Sequence, residues 1–187
     1  MKRTITFLFA LLFATSLAFS QAVEEGNKII NLDIGFPPTF GFGKVQVPPI
    51  SACFDYLITK AGPGIIGAGA ILGYASSKQE IIDFSTGNYD PNTYFKYTYF
   101  IAAARGSYHW FPGKSDKIDT YAGVVIGANI VSSKYHGFAG YTITPEAGGV
   151  LGGAFVGIRY FFTDNIGVNA ELGYGVAIIN IGGSLKF

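Results

Sequence analysis

Apolar side chains recur at every second position toward the end of this chain. In IGVNAELGY, Ile166, Val168, Ala170, Leu172 and Tyr174 alternate with Gly167, Asn169, Glu171 and Gly173. In INIGGSLKF, Ile179, Ile181, Gly183, Leu185 and Phe187 alternate with Asn180, Gly182, Ser184 and Lys186. A period of two is the signature of a strand with one apolar and one polar face. The same alternation recurs upstream. Ile30, Leu32, Ile34 and Phe36 oppose Asn31, Asp33 and Gly35, and Ile50 to Ile58 oppose Ser51, Cys53 and Asp55. Further segments run over 66–74, 100–110, 118–130 and 150–160, the last with Gly153, Gly157 and Arg159 on its polar face. The pattern predicts eight strands and no helix in the body of the chain.

The connections alternate in length. TKAGPG (59–64), FPGKSDK (111–117) and FFTDN (161–165) are short and built from turn residues. The intervening loops, about 37–49, 76–93 and 132–147, are longer, and a last one near 175–178 is short. Short turns on one side and long loops on the other are the asymmetry of an eight-stranded antiparallel up-and-down transmembrane β-barrel. An even strand number returns both termini to the turn side, which in such a barrel is periplasmic, with the long loops extracellular.

Energetics decide which face meets lipid. Asp33, Asp55, Arg105, Asp119, Arg159, Glu171 and Lys186 all fall on the polar face. A Lys or Arg facing lipid costs roughly 2–4 kcal/mol at the bilayer midplane, so the apolar face points outward. The lumen then holds a charged, Gly-rich set in which these seven residues form a network. Eight strands enclose only room for side chains, which predicts a plugged barrel rather than a pore. Tyr56, Tyr108, Trp110, Tyr160, Phe162 and Phe187 fall at the turn-side ends, and Phe36, Tyr74, Tyr135 and Tyr174 at the loop-side ends. Two aromatic girdles are expected at the two interfaces of such a barrel.

Composition agrees with this picture. Charged residues are 13% of the chain, about half the usual 25% of a soluble domain. No window after residue 20 holds the ~18 uninterrupted apolar residues of a spanning helix. The exception to the strand pattern is residues 1–20, where Lys2 and Arg3 precede an apolar run from Ile5 to Leu17 and the small residues Ala18 and Ser20. This reads as a signal peptide, cleaved after Ser20 or after Ala22, leaving residues 21–187 as the barrel domain. Of the 13 basic residues, 11 then remain against 12 acidic ones. No basic patch suggests nucleic acid. Cys53 has no partner for a disulfide, no Cys/His spacing suggests zinc, and no cofactor is implied.

The blocks ARGSYHWF (104–111), YAGVVIGANIVSSKY (121–135), GIRYFFTDNIGVNAELGYG (157–175) and the terminal GGSLKF resemble the small outer-membrane β-barrels of the OmpA/OmpX-like porin superfamily, in the form common in Bacteroidetes. The resemblance covers essentially the whole chain after the signal peptide. It implies a barrel in the outer membrane of a Gram-negative cell, surrounded by outer-membrane lipid and lipopolysaccharide. It also implies that the closing strand, with Leu185 and Phe187, is the signal read by the barrel assembly machinery. The chain stops at the barrel, so the wall-binding domain of full-length OmpA is not expected.

Candidate chemistry is sparse. A hydrolase acting on lipid A needs a nucleophile and a base within hydrogen-bond reach. Ser107 and His109 share one strand face but fall near the periplasmic rim, inside the lumen; Ser132, Ser133, His136 and Glu146 fall near the opposite end. The Gly-rich runs GAGAILG (67–73) and GGVLGGAFVG (148–157) match no phosphate-binding loop and read as strands whose inward glycines leave lumenal space. The expectation is a monomeric, non-enzymatic protein with a structural or surface-interaction role, its polar, Tyr-bearing loops meeting an unidentified extracellular partner. The alternatives are a lipid A-modifying enzyme, a narrow passive channel, and a soluble lipid carrier, whose barrel would reverse the apolar and polar faces.

Overall fold

The computed structural model describes residues 22–39, 43–83, 88–110, 115–136 and 148–187, without the side chains of 82, 83 and 88–92. The expected signal peptide, 1–20, lies outside them. Eight strands run in chain order: β1 (Lys28–Pro38), β2 (Lys44–Ala61), β3 (Gly64–Asp83), β4 (Asn88–Trp110), β5 (Ile118–His136), β6 (Gly149–Phe161), β7 (Ile166–Gly173) and β8 (Ala177–Lys186). Each pairs antiparallel with the next, and β8 pairs with β1, closing the ring. Closure leaves no edge, which is the condition for strands to survive in lipid.

The alternation is read as expected. On β1, Ile29, Asn31 and Asp33 are buried while Leu32 and Ile34 are exposed. Ile126 is 67% and Val150 87% exposed, values that make sense only against a lipid surface. Tyr56, Tyr160, Phe162 and Phe187 are exposed at the turn end, and Phe36 and Tyr174 at the loop end. The β2–β3 turn is a two-residue turn, Gly62-Pro63 between paired Ala61 and Gly64, with Gly62 at φ +60°. A positive φ there suits a tight hairpin and is open to glycine without steric cost.

The expected loops are shorter than the alternation suggested. Most of 76–93 is ladder: β3 and β4 pair continuously from Gly64↔Trp110 to Glu80↔Tyr94 and, after one irregularity, on to Asp83↔Asn88. Likewise β5 runs to His136, inside the expected loop 132–147, and β2 begins at Lys44, inside 37–49. The physical reason is that apolar/polar alternation stops when both faces of a strand leave the membrane. Backbone pairing does not stop there, and TYFKYTYF remains rich in strand formers.

The lumen is layered rather than uniformly charged. At the turn end, Ala22, Val23, Ile29, Leu57, Ile65 and Phe161 form an apolar cluster. Toward the loop end, Cys53, Ile71, Ile101, Ala103, Val125, Leu151 and Val176 form a second one. The charged set lies between them. The expectation of a charged and Gly-rich lumen overlooked these layers because both faces of several strands carry apolar residues there, which blurs a period of two.

Candidate functional site

The chemistry of the barrel gathers between the two apolar layers. Arg159, on β6, is fully buried and donates through Nη1 to Asp119 Oδ2 (2.8 Å), through Nη2 to Asp55 Oδ2 (2.6 Å) and through Nε to Asn31 Oδ1 (3.1 Å). Arg105, on β4, donates from Nη2 to Glu171 Oε2 at 2.9 Å. Its Nε lies 3.1 Å from Asp55 Oδ1, but out of line for a hydrogen bond, so this second contact is one of charge alone. Asp55 thus sits between two guanidiniums. The arginine faces are covered by rings: Arg159 Cζ lies 4.0 Å from the Tyr121 centroid and Arg105 Cζ 3.9 Å from that of Phe155. Such stacking suits a planar, weakly hydrated cation.

Asp33 attaches through uncharged neighbours. It accepts from Asn169 Nδ2 at 2.6 Å, and the Cys53 thiol lies 3.9 Å from its other oxygen. The Ser184 hydroxyl is 2.9 Å from Asn31 Oδ1 and 3.0 Å from Asn169 Oδ1, and its single proton serves one of them. Seven strands therefore contribute polar groups, while β3 contributes room. A Cβ on Gly67 would come within 2.6 Å of Ser107 Oγ, and one on Gly69 within 2.9 Å of Asp55 Oδ1. The glycines of GAGAILG make space for the polar cluster.

Of the seven residues expected to form the network, Asp55, Arg105, Asp119, Arg159 and Glu171 share ion pairs and Asp33 joins through Asn169. Lys186 stands apart. Its ammonium donates to the Ala22 carbonyl at 2.6 Å and lies 4.8 Å from the Phe161 ring centroid, capping the turn-end apolar cluster. Its inward parity is correct, but it is the last residue of its strand and sits below the charged layer. Asn31, Asn169 and Ser184, on the same polar face, complete the cluster without charge, which is why a search for charged residues passes over them. Tyr121 and Phe155 share the inward face, between Asp119 and Gly123 and between Gly153 and Gly157, and only the arginines stacked on them mark them out.

Ser107, His109 and Asp119 form a relay within this cluster. His109 Nδ1 lies 2.9 and 3.1 Å from the Asp119 oxygens, and Nε2 lies 3.0 Å from Ser107 Oγ. A carboxylate only accepts, so Nδ1 carries a proton, and in the neutral ring Nε2 accepts from the serine hydroxyl. This is the connectivity of a nucleophile, its base and an orienting carboxylate. The three are 5%, 0% and 0% exposed, with Arg159 clamped on Asp119 and Tyr121 stacked on the imidazole at 5.4 Å. Asp119 is thereby held from two sides, by the His109 imidazole and by the Arg159 guanidinium.

At the other end, alternation separates the second candidate group. Ser133 is buried inward, whereas Ser132 points outward; His136 stacks on Tyr94 at 4.7 Å. Glu146 lies outside the described residues. Leu185 and Phe187 face outward on the closing strand, where Phe187 and Lys28 exchange backbone hydrogen bonds of 2.8 and 2.9 Å.

The architecture has known counterparts. The chain is similar in fold to the N-terminal β-barrel domain of Pseudomonas aeruginosa OprF, at 13% identity and a TM-score of 0.50, over 87% of this chain and 98% of that one. Similarity extends to Ail, the attachment invasion locus protein of Yersinia pestis (11% identity, 88% and 100% covered, TM-score 0.46). It extends also to Neisserial surface protein A (17%, 86% and 90%, TM-score 0.43). No family model and no curated protein matches the sequence. The fold is that of a small eight-stranded outer-membrane β-barrel.

Proposed function

We propose that this chain is an integral protein of the outer membrane of a Gram-negative bacterium, with a lumen plugged by its own side chains and no catalytic role. The observation that carries the reading is the outer surface: an uninterrupted apolar face with aromatics at both ends, wrapped around a paired polar interior. That arrangement is stable in lipid and unstable in water, which argues against a soluble carrier. The two apolar layers and the ion pairs between them support a plug, since a water path would have to pass both. The termini and short turns face the periplasm. The long β3–β4 hairpin and the end of β5 project outside, where their Tyr-rich surface meets a partner. Leu185 and Phe187 serve as the assembly signal, and the protein works as a monomer.

Four measurements test this. Folded and boiled samples should migrate differently on a gel, and planar bilayers should show no stable large conductance. Protease added to intact cells should cut near 84–87 or 137–147; cuts confined to 111–117 or 161–165 would reverse the orientation. Replacement of Ser107 by Ala should leave the lipid A profile of the cell unchanged.

A further inference from the structure

Strand register assembles a feature that is scattered in the sequence. Lys44 pairs with Lys78, Lys78 with Lys96, and Lys96 with Lys134, so four adjacent strands each present a lysine at one level. Directly opposed residues on antiparallel strands share a face and are neighbours, so four ammoniums lie along a line of roughly 15 Å. The face is the outer one. Four residues below on the same strands, Tyr74, Phe100 and Ile130 form a row with Ile50, of which Ile50, Phe100 and Ile130 are exposed to lipid. Between the two rows lie Ser76, Thr98 and Ser132, of which Ser76 is buried, Thr98 half-buried and Ser132 exposed. The lysine row therefore stands one polar step above the last lipid-facing residues, about 10 Å along the membrane normal once strand tilt is counted.

Like charges directly opposed across strands repel. Glu80 offsets one of them, at 3.1 Å from Lys78, whose ammonium also lies 4.2 Å from the Tyr94 ring centroid. Lys44, Lys96 and Lys134 face the same anion-accepting level, and flexible stems let their heads reach down to the headgroups. A second, independent feature lies just below. A groove opens on the lipid-facing surface between Ile34, Ile50, Leu72, Tyr74, Phe100 and Ile181, with Ala52 and Gly182 among its small residues. Apolar walls below and a cationic row above, on the same strands, match an amphiphile with an acyl chain and more than one phosphate.

We infer that β1–β5 carry a binding site for a phosphorylated outer-leaflet glycolipid, lipopolysaccharide, with its phosphates on Lys44, Lys96 and Lys134 and an acyl chain in the groove. The inference rests on the outer-membrane reading above. It makes the lipid shell one-sided: at their loop-side ends β1, β6, β7 and β8 carry no lysine or arginine.

The test uses the purified full barrel in detergent, probed with bisphosphorylated lipid A, its dephosphorylated form, and a soluble heparin fragment, and read by native mass spectrometry. The wild type should retain bisphosphorylated lipid A. The triple variant Lys44→Gln, Lys96→Gln, Lys134→Gln should bind it about 100-fold more weakly, a factor of roughly five for each lysine near an anionic surface. Ala52→Phe, which fills the groove from the lipid side, should weaken lipid A and leave the heparin fragment unaffected. Heat-modifiable migration of each variant verifies folding. Equal retention of the dephosphorylated lipid, or an unchanged triple variant, overturns the site. Loss of heparin binding alone assigns the lysines to a soluble polyanion and overturns the lipid. Binding in detergent does not depend on orientation, so reversed protease cuts on cells would refute the topology without touching this result.

Discussion

Replacing Arg159 with Met asks whether the lumen is dry. The substitution keeps much of the stem and removes a cation that donates to Asp119, Asp55 and Asn31 at 2.6–3.1 Å from a fully buried position. Asp119 keeps His109, and Asp55 keeps the off-line contact with Arg105. Breaking a buried pair from one side costs about 3–5 kcal/mol, because a charge is left in a medium that does not solvate it. A pair in contact with water is worth only ~0–1 kcal/mol. The two cases differ by about 2–5 kcal/mol, or roughly 1.5 to 3.5 orders of magnitude in the folding equilibrium at ~1.4 kcal/mol per decade. Urea titration of the barrel in lipid vesicles resolves them, and Trp110, the single tryptophan, reports folding from the turn-side girdle. We expect a loss of at least ~3 kcal/mol for Arg159→Met. Adding Asp119→Asn should recover part of it, by about 1–2 kcal/mol relative to additivity. A single-variant loss under ~1 kcal/mol with an additive double variant would refute the dry lumen and favour a hydrated path along the ion pairs.

Three further outcomes follow from the same geometry. Gly157 faces the Tyr121 ring so closely that a Cβ would strike it, and that ring is held between Arg159 and His109. Gly157→Ala should cost ~1–3 kcal/mol in the urea assay and be rescued by Tyr121→Leu. Val124 is exposed on the middle of the lipid face, so Val124→Arg should cost ~2–4 kcal/mol in a bilayer and reduce the yield of folded protein. Ala22 and Val23 are buried at the turn end, and the Ala22 carbonyl accepts from Lys186. A chain starting at Val23 would bury its ammonium and lose that acceptor, so N-terminal sequencing of the exported protein should begin at Gln21.

Much of the barrel is legible because a membrane imposes a simple rule on a strand. Outward residues must be apolar, and where inward residues are polar, as around Asp33, Asp55 and Glu171, alternation names both faces. The rule weakens in two places. Inside the lumen, residues such as Ile65, Val125 and Leu151 meet protein rather than lipid, so nothing forbids apolar side chains on both faces. Beyond the membrane, neither face of the β3–β4 hairpin meets lipid, and strands that continue to Asp83 and from Asn88 lose the pattern by which they are recognised.

From the residues alone follow the strand number, the face that meets lipid and the inward parity of Asp33, Asp55, Arg105, Asp119, Arg159, Glu171 and Lys186. These depend on local period and on the cost of a charge in hydrocarbon. Only the closed structure decided who meets whom. Arg159 reaches Asn31, 128 positions away, and Lys186 leaves the network for Ala22. The relay of Ser107, His109 and Asp119 and the lysine row over β2–β5 likewise arise from pairing between strands. Register and barrel closure set those distances, and a period of two carries no record of either.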